Sequence, residues 1–427
     1  MSANSKILST FLAIIFFAVV SAPAFSEEVA EGTVIDAANL NKLSSQTFEG
    51  ETIASLLPKT IQAWIRERGL KIELVHTTPY PKDPKLMAWT EKNRTAVKLN
   101  SKTKKVQGWQ AGIPFPDIDP DDPDAAIKIV YNMYYGKPRG DSQDLSKVWT
   151  IFVNGKDGVE RSRHERIVRV FMKGLLRHEE GPVLGDGNIL EKRVGILLSP
   201  QDQRGEGSYL VRYDDGRLDD IIAYPVKTRK VRRISGGTWM DPSPPTDFVG
   251  DDFVIASAFP AWYQSYRLLA KKKILVVANS QNPNWRPYKT GDKHPSFDLK
   301  HPPYWNPTDK WEPREVYVVE AIPPENHPYG KKILYIDADN WNPYIGEYYD
   351  NEGAYWKIAI LSYRLFQLKD DPEAWIVWPP WSVNVDWQRN HATIVLDDSA
   401  LEGYAFNSGV QPKDLNVQFI IKEGKKN

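Results

Sequence analysis

The sequence predicts a mainly β protein (α+β) built around one large, curved antiparallel sheet or partial barrel. Hairpin signals between alternating apolar runs, such as Asn154-Gly155 and Asp215-Gly216, make successive strands antiparallel neighbours. No regular helical pattern separates the later strands, which disfavours a doubly wound parallel sheet. The chain also holds 15 Trp, 20 Tyr, 15 Phe and 32 Pro residues, a composition typical of β-structure with long ordered loops.

The N-terminus has the order of a secretory signal peptide. A single charge at Lys6 precedes an apolar stretch from Ile7 to Val20, and small residues follow up to Ser26. The apolar stretch is too short for a comfortable bilayer crossing, which disfavours the alternative of an uncleaved anchor. We therefore expect residues 1–26 to be removed after Ser26, with cleavage after Ala24 as the alternative. Residues 27–427 then form a single domain located in the periplasm.

Composition excludes several classes of protein. The chain has no cysteine, so it is not a lipid-modified lipoprotein and holds no disulfide or cysteine-based metal site. Lys plus Arg and Asp plus Glu both number 55, which argues against a general nucleic-acid binder. No later segment is long and apolar enough to span a membrane, so we expect no membrane-spanning part after cleavage.

The elements can be assigned in chain order. Residues 33–69 have apolar residues at helical spacing and end near Gly69, which predicts an N-terminal helical segment. A strand is expected from Leu70 to His76, a second strand or hairpin over 96–109, and a short helix over 124–135. Further strands are predicted at 148–153, 160–171, 209–213, 221–234, 316–321, 333–338, 344–349 and 355–361. Regions near 240–313 and 369–393 are rich in Pro or Trp and are interpreted as ordered loop insertions.

Catalytic motifs are missing from the sequence. The seven histidines are scattered without H-E-x-x-H spacing, and no G-x-S-x-G elbow or P-loop occurs. Four Asp doublets stand at 214–215, 219–220, 251–252 and 397–398. Successive strand residues point to opposite faces, so a doublet is not a glycosidase acid pair, and turn chemistry is the favoured interpretation. We expect no catalytic residue, no metal and no cofactor.

Residues 197–253 carry a family resemblance. This stretch contains an Asp-Asp-apolar-Tyr-Pro strand at 219–225, a basic run at 229–233 and the loop Gly250-Asp251-Asp252-Phe253. It resembles the outer-membrane lipoprotein-sorting-like proteins, relatives of the Lol lipoprotein carriers (LolA/LolB-like). The hairpin at 348–357 fits the same group.

Across the mature chain the closer resemblance is to domain-of-unknown-function family 1329, which the motifs at 50–53 and 77–81 also match. The resemblance implies an exported Gram-negative protein with a half-open LolA/LolB-like β-barrel and helices on its apolar concave face. It supplies no known reaction. It implies possible partners in an RND-type inner-membrane transporter and an outer-membrane protein. The Lol carriers are much smaller, so their acyl-chain cargo cannot be carried over.

The alternation of the strands gives the candidate site. Each of four strands has one apolar face, and in a curved sheet these faces could line an interior, with the stripe of the N-terminal helix as a plug. An ordinary filled core would look identical in the sequence. The predicted cavity residues are Ile61, Trp64, Ile65, Tyr209, Val211, Tyr213, Tyr317, Val319, Leu334, Ile336, Trp356 and Ile358.

These features favour a non-enzymatic periplasmic carrier of a hydrophobic small molecule or lipid. The alternatives are a glycan-binding or carbohydrate-active protein, with Trp and Tyr as stacking platforms, and a structural adaptor of an envelope complex. The position of the aromatic residues discriminates between a carrier and a glycan-binding protein. They should lie inside a concavity in a carrier and along an open groove beside facing carboxylates in a glycan protein.

Overall fold

The computed structural model describes residues 27–136, 139–280, 296–369, 371–399 and 405–425. The predicted signal peptide, residues 1–26, lies outside the described residues, as does the part of the first expected insertion at 281–295.

Short helices and strands alternate in the N-terminal third of the chain. Residues 33–69, expected to be helical, contain three short helices and three two-residue strands, because several apolar residues in this stretch belong to turns and a hairpin. The left-handed Gly69 (φ 68°) ends the last of these helices, as predicted. In chain order the elements are β1 (Val34–Ile35), α1 (Leu40–Leu43), β2 (Thr47–Phe48), β3 (Glu51–Thr52), α2 (Ile53–Leu56), α3 (Lys59–Arg68), β4 (Ile72–Leu74), α4 (Pro84–Ala96), β5 (Lys98–Asn100), β6 (Lys105–Gln107) and α5 (Ala125–Tyr135).

Strands dominate the rest of the chain and end in one C-terminal helix. Three short 3-10 turns lie between residues 236 and 262. The elements are β7 (Ser142–Asn154), β8 (Gly158–Phe171), β9 (Ile189–Ser199), β10 (Gly207–Tyr213), β11 (Asp220–Tyr224), β12 (Arg232–Ile234), β13 (Ser265–Val276), β14 (Phe297–Asp298), β15 (Asn306–Pro307), β16 (Lys310–Ile322), β17 (Lys331–Asp337), β18 (Pro343–Tyr349), β19 (Tyr355–Leu361), β20 (Arg364–Leu368), β21 (Asp371–Trp378), β22 (Trp381–Asp386), β23 (His391–Asp397) and α6 (Val417–Gly424).

Fifteen of these strands form one large sheet, as the hairpin signals predicted. Its order is β1-β4-β16-β17-β18-β19-β22-β23-β7-β8-β9-β10-β11-β12, and β13 also pairs with β16. All neighbours are antiparallel except β4 and β16, which makes the sheet mixed at this edge. Among the described strands, β12 and β13 each have a single partner, so the sheet is not closed.

The sheet curves around helix α5. This helix packs against β13 near one end of the sheet. Near the other end, the Tyr135 hydroxyl donates to Asp214, the residue that follows β10. Ten of its eleven residues are buried, as expected of a helix that is apolar nearly all round. A single helix can reach both ends only if the sheet bends toward it, so the face that meets α5 is concave.

The two faces of the sheet are covered by different parts of the chain. Residues 236–262 lie on the concave face with α5, whereas α2, α3 and α6 lie on the outer face. Thr60 of α3, for example, hydrogen-bonds Glu347 on that outer face. The N-terminal helices were expected on the concave side, and the structure corrects this. The apolar stripe of α3 packs equally well on an outer face because that face is also apolar, with Ile345, Ile360 and Val383 in register.

Residues 369–393 are not simply an inserted loop. They include β21, which pairs with β20, and β22, which lies in the middle of the main sheet between β19 and β23. Val383 and Val385 of β22 face outward, and its polar members Ser382, Asn384 and Asp386 lie on the concave face. The high Trp content obscured this ordinary alternation. In the same way, the 240–313 region contains β13, a strand of the sheet.

Candidate ligand-binding site

The twelve predicted cavity residues do not come together in one place. Four of the twelve lie on the concave face, where their side chains are at most 7% exposed inside a packed core. Ile358, Tyr209 and Val211 point to the outer face, where the stripe Ile61, Trp64 and Ile65 is also buried. The residues on the concave face are Tyr317, Val319, Leu334 and Ile336.

Bulges displace the two remaining aromatic residues from the simple alternation. A register shift separates Arg212 from Tyr213, whose hydroxyl donates to Asp220. Another shift lies beside Trp356, whose indole N–H donates to Asp386 at 3.0 Å. The Trp356 ring also packs against Tyr329 at 5.4 Å, so the bulge brings Trp356 to the concave side. Because the twelve residues are still divided between the two faces, a ligand role for the full set stays a prediction.

The most distinctive feature of the concave face is the segment that covers it, residues 241–258, which we call the covering segment. Lys332 on β17 reaches this segment with Nζ 2.6 Å from Asp251 Oδ2 and 3.0 Å from Asp252 Oδ1. The hydroxyls of Tyr263 and Tyr329 donate to the same two carboxylates. Burial alone would lower the pKa of Lys332, but the two carboxylates raise it above its usual value.

A second anchor holds the start of the covering segment. Asp247 Oδ2 accepts hydrogen bonds from the Thr393 hydroxyl and from Nδ1 of His391, both at 2.7 Å, on β23. Nζ of Lys357 donates to the Asp247 carbonyl oxygen at 2.8 Å. Burial disfavours the charged imidazole, but the Asp247 hydrogen bond and charge raise the pKa of His391 above its ordinary value. Polar bonds therefore attach the covering segment to three strands of the sheet, β17, β19 and β23.

An apolar cleft lies between the covering segment and the concave face. Its interior volume is about 70 Å³. A single water needs roughly 10–15 Å³ measured in this way, so the cleft has room for a few water-sized groups. The apolar walls are Leu145, Val148, Ile167, Phe248, Phe253, Val254, Leu361, Trp378, Pro379, Trp381 and Val395.

A few polar groups interrupt the apolar walls. Asn384 is 2% exposed, and its side-chain oxygen has no hydrogen-bond partner among the described residues. Asp397 accepts the indole N–H of Trp378 at 2.7 Å, and burial raises the pKa of its carboxyl group. An unpartnered buried amide oxygen is costly unless something satisfies it, so Asn384 offers an acceptor to a donor entering the cleft.

The next residue, Asp398, has an unusual carboxyl group. Burial and the neighbouring charge of Asp397 raise its pKa to about 8, although Lys147 acts in the opposite direction. This doublet thus carries a carboxyl group that is largely protonated at neutral pH, close to the end of the cleft.

The sequence reasoning missed the covering segment and its anchors. The Asp251-Asp252 doublet was interpreted as turn chemistry, but both side chains are buried and share the ammonium group of Lys332. The turn interpretation holds for Asp215, which caps the backbone N–H of Arg217. One available signal was that Lys332 and Lys357 each stand within apolar strands, where a buried lysine needs a carboxylate or carbonyl partner.

The lipoprotein-sorting-like resemblance implied a half-open barrel with helices on its concave face, and the structure has an open, curved, mixed sheet with α5 on that face. The chain belongs to the family described as Protein of unknown function (DUF1329), whose model matches residues 34–418. One curated relative, "Uncharacterized protein PA3922" of Pseudomonas aeruginosa, is 28% identical over 208 residues, 47% of this chain and 43% of that protein. The match thus spans less than half the length of the relative.

Three solved structures are similar to this chain at low identity. A domain described as outer membrane lipoprotein-sorting, from Vibrio parahaemolyticus, is 16% identical with a TM-score of 0.48, covering 70% of this chain and 99% of that one. A DUF1329 family protein from Desulfovibrio piger is 16% identical with a TM-score of 0.39, covering 64% and 92%. LolA superfamily protein NE2245 from Nitrosomonas europaea is 12% identical with a TM-score of 0.34, covering 61% and 84%.

Within the described part of the chain, no helix combines the length and apolar character needed to cross a membrane. The same residues contain no group of three or more His, Asp or Glu side chains placed to hold a metal ion.

Proposed function

We propose that this protein binds an apolar or amphipathic molecule in the concave cleft and acts as a carrier for it. The observation that carries the proposal is the cleft itself, an apolar space between a curved sheet and a segment of chain fixed over it by polar bonds. Ligand sites of carriers are concave and mostly apolar, with few polar groups to orient the ligand. Asn384 and Asp397 are the groups that would orient the ligand here.

The size of the cleft determines how such a carrier would work. A space of about 70 Å³ admits only a short piece of an alkyl chain. Each buried methylene gains about 0.8 kcal/mol, so the closed cleft alone gives weak binding. A longer chain requires the covering segment to move outward. Weak binding when closed and wider access when open would let a carrier release its cargo to a partner.

The backbone of the covering segment supports such movement. Val254 and Ile255 are consecutive β-branched residues with φ of 55° and 72°, in the left-handed region. This conformation costs of order 1–3 kcal/mol for each such residue. Because Val254 lines the cleft, a rearrangement that relieved this strain would also change the shape of the cleft.

Location and partners form a further part of the proposal. The order of charge, apolar stretch and small residues in 1–26 supports export to the periplasm by a cleaved signal peptide. The resemblance noted above supports an RND-type transporter and an outer-membrane protein as donor and acceptor. A soluble carrier between two membranes needs both partners. One partner must load the apolar ligand, and the other must accept it, because the ligand cannot cross the water between the membranes unaided.

The aromatic residues support a carrier over a glycan binder. Every Trp, Tyr and Phe side chain that the structure describes is buried or half-buried. A glycan platform needs exposed rings along an open groove. The rings of this chain instead fill the core and wall the cleft, as in Trp378 and Phe253.

Binding of a neutral apolar fluorescent probe, N-phenyl-1-naphthylamine, tests the proposal. Val395 is half-buried on the cleft wall, so Val395→Trp should fill the cleft and weaken probe binding at least tenfold. Val34→Trp, at an exposed valine on the far edge of the sheet, is the matched control and should bind like the parent. Saturable binding lost only in Val395→Trp supports the carrier. Absent or unaffected binding would contradict it and leave the structural adaptor ahead.

A further inference from the structure

A cluster of buried arginines lies on the concave face beside the cleft. Arg169 on β8 and Arg193 on β9 are paired across the sheet, and Arg212 on β10 follows in the next row. Arg139, just after α5, packs on the ring of Phe171 near Arg169. These four arginines face two carboxylates of the cluster, Glu191 and Asp219.

The charges in this cluster are not evenly compensated. Arg212 makes a bidentate pair with Asp219, with its Nη2 at 2.8 Å from Oδ2, and donates to the Ser257 carbonyl at 2.6 Å. Arg169 and Arg193 share Glu191 instead, at 3.4 and 3.8 Å. Among the described residues, Glu191 is the one carboxylate within ion-pair range of either.

The two arginines differ in how they meet Glu191 and in how far they are exposed to solvent. The Arg169 side chain is 10% exposed, and its Nε lies 3.4 Å from Oε2 of Glu191 without forming a hydrogen bond of good geometry. Arg193 is 23% exposed on its side chain and therefore reachable from solvent. Burial, together with the positive charges of Arg169 and Arg212, lowers the pKa of Arg193 to about 10, so it remains charged at neutral pH.

One side chain connects the arginines to the cleft. The Phe253 ring walls the cleft, and both guanidinium carbons lie over it, at 5.9 Å for Arg169 and 5.6 Å for Arg193. Ile167, two residues before Arg169 on the same face of β8, lines the cleft as well. The apolar space and the undercompensated positive charge are therefore contiguous.

The geometry points to an anionic amphiphile as the ligand, with a carboxylate or phosphate headgroup held by Arg193 and Arg169 and its apolar chain in the cleft beneath Phe253. This inference rests on the proposed function and narrows its substrate class. A planar guanidinium presents paired donors that match the two oxygens of such a headgroup. An incoming anion would supply a well-aligned acceptor for the Arg169 Nε–H and a second negative charge, since Glu191 alone is shared by two guanidinium groups.

A matched pair of fluorescent probes tests the inference. cis-Parinaric acid carries a carboxylate, and its methyl ester has the same chain without the charge. The parent protein should bind the acid at least tenfold more tightly than the ester, as one charge-assisted hydrogen bond implies. Arg193→Gln should remove this preference and leave ester binding unchanged, whereas Arg193→Lys should retain most of it. Arg217→Gln, at an exposed arginine paired with Asp215, should match the parent.

The outcomes separate the inference from the function on which it rests. Equal binding of acid and ester by the parent, or equal loss of both in Arg193→Gln, would overturn the headgroup site and leave the carrier intact. Failure of both probes and of the neutral naphthylamine would overturn the carrier and the headgroup site together. Inorganic phosphate tests the source of the anion. An Arg193-dependent rise in thermal midpoint with phosphate alone would indicate a free-anion site and overturn the amphiphile.

Discussion

The ammonium nitrogen of Lys332 lies 2.6 Å from Oδ2 of Asp251, and neither side chain has any exposure to solvent. Asp252 completes the cluster at 3.0 Å. This pair joins the middle of the sheet to the covering segment and so fixes the roof of the cleft. A buried ion pair is seldom a net gain in stability, but breaking one leaves an uncompensated charge in the interior.

Removing the lysine should therefore be costly. We expect Lys332→Met to lower the free energy of unfolding by about 3–5 kcal/mol, because two carboxylates lose their shared cation in a buried place. Lys271 on β13 is an exposed partner of Glu315 on the neighbouring strand β16. Lys271→Met should therefore cost at most about 1 kcal/mol. Urea denaturation of both variants measures the difference. Equal effects at the two positions would be inconsistent with this role for Lys332.

The second anchor gives a graded test. The Thr393 hydroxyl donates to Asp247 Oδ2 at 2.7 Å and accepts the Asp247 backbone N–H at 2.9 Å. Thr393→Val keeps the shape but leaves these buried groups unpaired, so we expect a loss of about 1–3 kcal/mol. Thr393→Ser keeps the hydroxyl and should lose less. Hydrogen exchange of the amides in 241–258 should quicken in the valine variant alone; unchanged exchange there would show that this bond does not hold the segment.

The left-handed backbone at Val254 predicts that a glycine variant is more stable than an alanine variant at this position, the reverse of the usual order. At an ordinary position within a helix or strand, a protein with glycine is less stable than one with alanine by roughly 0.5–1 kcal/mol, because glycine loses more conformational freedom on folding. At a φ of 55° an alanine side chain is strained and glycine is not. We expect Val254→Gly to be more stable than Val254→Ala by about 1 kcal/mol in urea denaturation. The reverse order would mean that this backbone strain is absent in solution.

The carboxyl group of Asp398 predicts a dependence of stability on pH. Its pKa in the folded protein is raised from 3.8 to about 8, so between these values the folded state binds the proton more tightly than the unfolded state. The stabilisation that Asp398 adds to the free energy of unfolding is fully present below about pH 4 and is lost as the pH rises toward 8. The parent should lose more unfolding free energy between pH 5 and pH 8 than Asp398→Asn does. Parallel pH profiles for the two proteins would refute the assignment.

Much of the sheet could be predicted from local sequence. The turn at Asn154-Gly155 does connect β7 to β8, and the alternation from Tyr355 to Leu361 does mark β19. Short-range signals of this kind specify hairpins because the turn geometry and the pleat act between residues close in the chain. The family resemblance, carried by motifs at 50–53 and 197–253, was confirmed over nearly the whole chain.

The site could not be predicted in the same way, because it depends on which face of the sheet is concave. The alternation of polar and apolar residues predicts that Lys357 lies on the opposite face of the sheet from Trp356 and Ile358. It does not predict that both faces of the sheet are covered by other parts of the chain. In the structure both faces are buried, and Lys357 is only 5% exposed. Lys332, the charged partner of Asp251 and Asp252, lies about 80 residues away from them. A lysine within an apolar strand signals that it needs a partner, but a single sequence does not say which carboxylate supplies it. One-residue bulges such as that beside Trp356 also reverse the face assignment locally.

Photo-crosslinking with a diazirine fatty acid tests the central claim most directly, because it reports which face of the sheet the ligand contacts. We expect saturable labelling, competed by unlabelled fatty acid, in peptides containing 248–254 and in strands β22 and β23. Val395→Trp should abolish it. Labelling confined to α3 and the outer face around Ile358, or labelling that excess fatty acid does not compete away, would contradict a binding site in the concave cleft.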